Sequence, residues 1–239
     1  RNFHDFSRPL PHNTAYRDVH PLLIPEVWPP DERNRQDVAN YIATHGLTGF
    51  QAAVSGGQYE FEEGLFFGGK APTWSNLTIR QVLRQHAGQC QQLAWLDLHT
   101  GLGPTGVGER IYAGADDAQA VARARAWWGS GVTSIYDGSS TSALLTGLMW
   151  TSVADECAQA QYTGIALEYG TQPIDQVVYA LRGDHWLHQH PEAPQALAQS
   201  IRQAMKQAFY VDTDAWREQV IVQAMDALHL AVRGLSQPL

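Results

Sequence analysis

Residues 93–101 read Leu-Ala-Trp-Leu-Asp-Leu-His-Thr-Gly, and residues 163–170 read Thr-Gly-Ile-Ala-Leu-Glu-Tyr-Gly. Each is a short apolar run that reaches one ionisable side chain, His99 or Glu168, with a glycine two positions further on. A run of this length bounded by breakers predicts a buried strand. Strands are therefore expected over 93–98 and 163–167. Between them lies an Ala- and Arg-rich segment, 116–128, that predicts a helix, and three amphipathic helices are expected near 174–189, 194–209 and 213–233. Strands alternating with helices predict an α/β sheet with helices on both faces.

Working outward, residues 1–30 carry Pro9, Pro11, Pro21, Pro25, Pro29 and Pro30 and read as extended, surface-hugging backbone. Asp31 caps a predicted helix that runs to about Thr44, with Gly46 as its stop. Segment 55–73 places glycines among aromatics and reads as a long shaped loop, after which Ser75 or Asn76 can cap a helix over Leu77, Ile79, Val82 and Leu83. Val107–Tyr112 reads as extended chain. Within 132–160 the apolar Leu144, Leu145, Leu148, Met149 and Val153 suit a helix, and the density of Ser and Thr opposes one. No repeat or linker divides the chain, so one α/β domain spanning residues 1–239 is expected.

Composition narrows the function classes. Apolar residues make up 44% of the 239, enough for a sizeable core, which excludes a disordered chain. No apolar run approaches the ~18 residues that cross a bilayer. A net charge of −8 argues against nucleic acid and anionic membranes as partners, since both attract positive surfaces. Cys90 and Cys157 form no disulfide framework and no Cys-x-x-Cys pair, so a reducing, cytoplasmic setting is expected. The sequence opens on Arg1 rather than Met, which predicts a trimmed or fragmentary chain and leaves an upstream export signal open.

The chemistry is expected where the two strands end, because ligands of open α/β sheets bind beyond the carboxyl ends of the strands. There a neutral His99 could ligate a metal and Glu168 could serve as a general base, or both could be solvated strand ends. Asp97 shares His99's strand face, since side chains alternate, and is a candidate to orient it. Glu109 and Glu156 are rival carboxylates, Glu109 because it follows a glycine-rich loop that could line the site. Gly101-x-Gly103-x-x-Gly106 matches a dinucleotide fingerprint, but extended chain follows it where a phosphate-binding helix should open. His185 and His188 share a helical face in a last turn stopped by Pro191, where histidine suits the unpaired carbonyls better than a metal. Serine chemistry has no nucleophile elbow to support it.

Several motifs in order resemble a known superfamily: Arg1-Asn2-Phe3, GGQY (56–59), GLFFGG (64–69), WSN (74–76), DLHTGLG (97–103) and ALEYGT (166–171). Together they resemble the zinc carboxypeptidase superfamily, on the side of the succinylglutamate desuccinylases and aspartoacylases, and within it an uncharacterised bacterial branch known as a domain of unknown function. The resemblance implies a mixed, mostly parallel sheet and a Zn²⁺ cofactor held in part by His99. It further implies Glu168 as the catalytic residue that activates water, and Arg1 as the residue that receives a substrate carboxylate. The implied substrate is a small peptide or an N-acyl amino acid. The superfamily's early His-x-x-Glu pair occurs nowhere in residues 1–239, so the remaining zinc ligands are expected upstream of Arg1 and the chain reads as a C-terminal portion. The alternative expectation is a non-catalytic relative that binds a carboxylate ligand or a protein partner. Oligomeric state is left open.

Overall fold

The computed structural model describes residues 1–237. The chain runs α1 (Thr14–Leu23), α2 (Glu32–Ser55), α3 (Trp74–His86), β1 (Gln92–Thr105), β2 (Gly108–Tyr112), α4 (Ala118–Trp128), α5 (Thr151–Glu156), β3 (Gln161–Gly170), α6 (Ile174–Gln189), α7 (Gln195–Phe209) and α8 (Asp214–Leu235). The fold is α/β around a mixed sheet of order β1-β3-β2. β1 runs parallel to β3 and β2 antiparallel to it. Two of the three strands run in one direction and β2 runs against them: it returns from β1 through Gly106-Val107, and a connection that short cannot make the crossover that a parallel strand needs.

Alternation along β3 assigns its two faces. Ile165, Leu167 and Tyr169 are fully buried against Trp128 of α4 and Trp216 and Ala227 of α8. Trp128 Nε1 donates to Ala227 O (2.9 Å), Trp216 Nε1 to Gly170 O (3.1 Å) and the Tyr169 hydroxyl to Val220 O (3.1 Å), so buried rings find polar partners as they pack. On the opposite face Leu93, Trp95 and Tyr162 lie under Leu83 of α3 and Val153 and Cys157 at α5. Helices thus cover both faces, as expected. Among the described residues no helix is long and apolar enough to cross a membrane.

Several expectations are corrected. The Pro-rich start contains α1: Asn13 Oδ1 accepts from Tyr16 N (3.2 Å), and Tyr16, Val19 and Leu23 bury one face against Phe50, Ala53 and Val54 of α2. That burial outweighs Pro21 in the last turn. Gly46 (φ 74°) breaks α2 but does not end it, and a second helical stretch follows to Ser55. The cap of α3 is Thr73, two residues before Ser75 and three before Asn76, the caps expected. Both strands outrun their apolar cores, through His99 to Thr105 and through Glu168 to Gly170. In 132–160 only Thr151–Glu156 is helical.

α6 is tied to α1 and α2 by Arg182. Its side chain is buried, with Nε donating to Leu23 O (3.1 Å) and Nη2 to Leu22 O (2.7 Å) and Asn34 Oδ1 (2.6 Å). Burial pushes the guanidinium down to about 10. Arg182→Met keeps most of the stem and removes the donor to Leu23 O and Asn34 Oδ1, while Leu22 O keeps the Asn34 Nδ2 bond (3.0 Å). It should lower stability by about 2–3 kcal/mol in denaturant unfolding, given ~1–3 kcal/mol for an unsatisfied buried polar group. A variant within about 0.5 kcal/mol of the parent would show that the three bonds do not matter.

Candidate active site

The two strand pairings bring three ionisable side chains into one row. His99 of β1 is the partner of Glu168 in the parallel ladder, and Glu109 of β2 is the partner of the same Glu168 in the antiparallel one. Registered neighbours share a sheet face, so imidazole, carboxylate and carboxylate stand side by side on the side opposite the Trp128 core. Asp97, two residues before His99, shares that face, and its Oδ2 lies 3.0 Å from His99 Nε2. With Nε2 engaged, Nδ1 is the nitrogen His99 has left to offer.

Glu168 is held by one oxygen. Leu102 N, in the irregular end of β1 where the register shifts between Gly101 and Thr105, donates to its Oε1 (3.0 Å), and no described residue bonds Oε2. That segment approaches because Gly101 and Gly103 have φ of 141° and 96°, and because Gly170 has no side chain: a Cβ there would overlap the carbonyl oxygens of Gly103 and Pro104. Gly170 therefore permits close approach of two backbones; it does not turn the chain away after Glu168. The glycines of 101–106 lead into strand β2, where a dinucleotide fold would open a helix.

Electrostatics pull Glu168 and His99 toward binding protons. Burial raises the proton affinity of Glu168, the Leu102 N–H and the His99 charge oppose this, and Glu109 and Asp97 add to it by repulsion. The hydrogen bond to Asp97 raises the imidazole of His99 most, against burial, with the charges of Asp97 and Glu168 contributing further. Glu109 faces different partners. The hydroxyls of Thr133 (2.5 Å) and Thr141 donate to its carboxylate, as does Thr141 N (3.2 Å).

The other expected residues fall elsewhere. Nε and Nη2 of Arg1 both donate to Ser55 O, the guanidinium lies 5.8 Å from the centroid of the Phe66 ring, and among the described residues it meets no carboxylate. Its neighbour Asn2 carries the structural load, with Nδ2 donating to Gly68 O (2.8 Å) and Oδ1 accepting from Thr73 N (2.8 Å). Glu156 is bound to Arg80 (3.0 Å) and Arg84 (2.8 Å) and joins α5 to α3. His185 Nε2 contacts Glu63 O (2.5 Å) and His188 Nε2 lies 3.5 Å from Asp184, while the α6 carbonyl of Trp186 is met by His190 Nδ1 at 2.8 Å. The structure thus joins Asp97, His99, Glu168 and Glu109 and leaves Arg1 and Glu156 outside. Thr133, Thr141 and the Leu102 amide had no signal in the sequence, because their roles depend on chain segments 24–66 positions away.

Zinc, the implied cofactor, was tested against this donor set. Among the described residues no group of three His, Cys, Asp or Glu side chains could hold a metal ion. One imidazole with its orienting carboxylate does not make a structural or catalytic zinc site, which takes three or four protein ligands. The residues present do not fit a complete centre. Residues 1–239 dialysed against zinc-free buffer should retain far less than one zinc per chain, and stoichiometric zinc by elemental analysis would contradict the donor count.

In the protein as it stands, His99 should titrate above the ordinary imidazole value of 6.5, and Asp97→Asn should bring it down. The stability linked to this pair is full below the unfolded value and is lost as pH rises through the raised folded one. Asp97→Asn should therefore flatten that loss. An NMR titration of the ring protons checks both, and an unmoved His99 would rule out the pairing.

Comparison with known proteins places this site in a family. No curated protein and no solved structure matches the chain. A family model described as "Protein of unknown function (DUF2817)" matches residues 1–223, which include every residue of the row. The chain therefore belongs to the DUF2817 family of proteins of unknown function.

Proposed function

We propose that the protein is a hydrolase that cleaves an amide bond of a peptide or N-acyl amino acid, with Glu168 as its proton-transfer group. The observation that carries this reading is the register of β3, which seats a half-buried carboxylate between an Asp-oriented imidazole and a second carboxylate. A general base must hold a proton affinity near working pH and have a free oxygen within reach of water. Burial moves Glu168 toward the first need by raising its proton affinity, and its unbonded Oε2 meets the second.

The steps assigned to this chain's residues are these. Glu168 Oε2 takes a proton from the attacking water, whose oxygen bonds to the amide carbon. The same carboxyl then gives that proton to the amide nitrogen as the C–N bond breaks, leaving an acid and an amine. His99 is the ladder partner of Glu168, and in its protonated form Nδ1–H can polarise the carbonyl oxygen while Asp97 holds Nε2. No step here runs through a metal, since the described donors do not complete a metal site. A zinc-dependent version of the same reaction would require ligands beyond the described residues.

The test is Glu168→Gln, assayed on acyl-amino acids and short peptides beside the parent protein. General acid–base catalysis is worth ~10²–10⁴-fold, so turnover should fall by about that factor while the melting temperature holds. Turnover near the parent's would overturn the assignment. A folding collapse would point to a structural carboxylate bonded to Leu102, and Glu168→Asp, which keeps the charge, would then separate loss of fold from loss of chemistry.

A further inference from the structure

Glu168 and Glu109 stand behind the two walls of one cleft. A cavity of about 650 Å³ is lined by the end of β1 (101–105), by loop 138–143, by Thr48 and Gln51 of α2, and by Gln172 and Ile174. Leu102, on the first wall, donates its amide to Glu168, and Thr141, on the second, donates its amide and hydroxyl to Glu109. Gln51 Nε2 also reaches Thr141 O (3.3 Å), so the second wall is held from both sides. A larger cavity, about 780 Å³, lies by Arg35, Asp175 and Arg182 and touches none of the site residues.

The lining of the 650 Å³ cleft is polar without being charged. Among the described residues no Asp, Glu, Lys, Arg or His side chain faces it, and its polar groups are amides and hydroxyls such as Gln51, Ser140, Ser142 and Gln172. The guanidinium of Arg1, the expected carboxylate receptor, donates through Nε and Nη2 to Ser55 O and lines a separate cavity with His12 and Tyr59. Two carboxylates lie immediately behind the walls, in a chain of net charge −8. An anionic group entering the cleft would lose its hydration, meet no cation and be repelled by both. An uncharged group with its own N–H and C=O would find partners on either side.

We propose that this cleft receives an uncharged peptidyl arm of the substrate, and that Glu109 acts as a positioning residue that latches the Thr141 wall against it. The inference rests on the hydrolase reading and narrows it: of peptide and anionic N-acyl amino acid, it selects the peptide. Glu109 touches no substrate here; it acts through Thr141.

The test is a binding titration of the full chain that needs no turnover. Acetyl-dialanine amide is the neutral probe and succinyl-dialanine amide the anionic one, followed by NMR at the Leu102 and Thr141 amides. The neutral probe should shift both amides saturably, and the succinyl probe should bind at least about tenfold more weakly. Thr141→Val removes the hydroxyl that Glu109 holds and should weaken the neutral probe about tenfold, roughly the loss of one hydrogen bond to a charged group, while Thr141→Ser should restore it. Equal or tighter binding of the succinyl probe, or no saturable shift with the neutral one, would overturn the proposed subsite. Unchanged affinity in Thr141→Val would overturn the latch. Neither result depends on Glu168→Gln, whose failure to slow hydrolysis would sink the catalytic reading by itself.

Discussion

Everything at the candidate site depends on the register of β3 between its two neighbours. A strand has a period of two, so a slip of one residue against β1 and β2 would exchange its faces. Leu167 and Tyr169 would leave the Trp128 core, and the Glu168 carboxylate would enter it. The native register is held from the apolar side, where Ile165, Leu167 and Tyr169 are fully buried, and by two bonds from α8, Trp216 to Gly170 and Tyr169 to Val220. Burying a leucine, an isoleucine and a tyrosine side chain is worth several kcal/mol, about 1.5–3 for each large apolar group. The core thereby decides which carboxylate faces His99.

Once the register is set, the rest of the row follows from short-range electrostatics. One imidazole stands among three carboxylates, Asp97, Glu109 and Glu168, each with a different environment. Asp97 is paired with the ring, and Glu109 is bonded to hydroxyls on another loop. Glu168 combines burial with an oxygen that no described residue bonds, and that burial raises its proton affinity. Two carboxylates on adjacent strands thus have different environments, because one is solvated by protein hydroxyls and the other is not.

The regions around the sheet are joined to one another by polar side chains. Arg182 ties α6 to the α1–α2 pair through carbonyls and one amide oxygen. Asn2 fastens the start of the chain to loop 68–73 and to Asn76 of α3, whose Nδ2 donates to Asn2 O (2.5 Å). The Arg-Asn-Phe opening is therefore a structural clasp through Asn2, while Arg1 lies beside Phe66 with its N–H groups on a carbonyl.

The sequence by itself determined the parts whose causes are local. Apolar runs at 93–98 and 163–167 marked the strands, amphipathic periodicity marked α4, α6, α7 and α8 to within a residue or two, and polar residues at the ends of the two runs marked His99, Asp97 and Glu168. Periodicity and breakers act over a few residues, so one chain segment suffices to read them. It misread α1, because six prolines in thirty residues look extended until Tyr16, Val19 and Leu23 find a groove on α2 to fill. Only the tertiary structure decided that β2 pairs antiparallel on β3, which is what puts Glu109 beside Glu168 and Thr141 onto Glu109. It also decided that Arg1 stays apart from the row. Partners tens of residues distant are chosen by which faces the core buries, and no local pattern carries that choice.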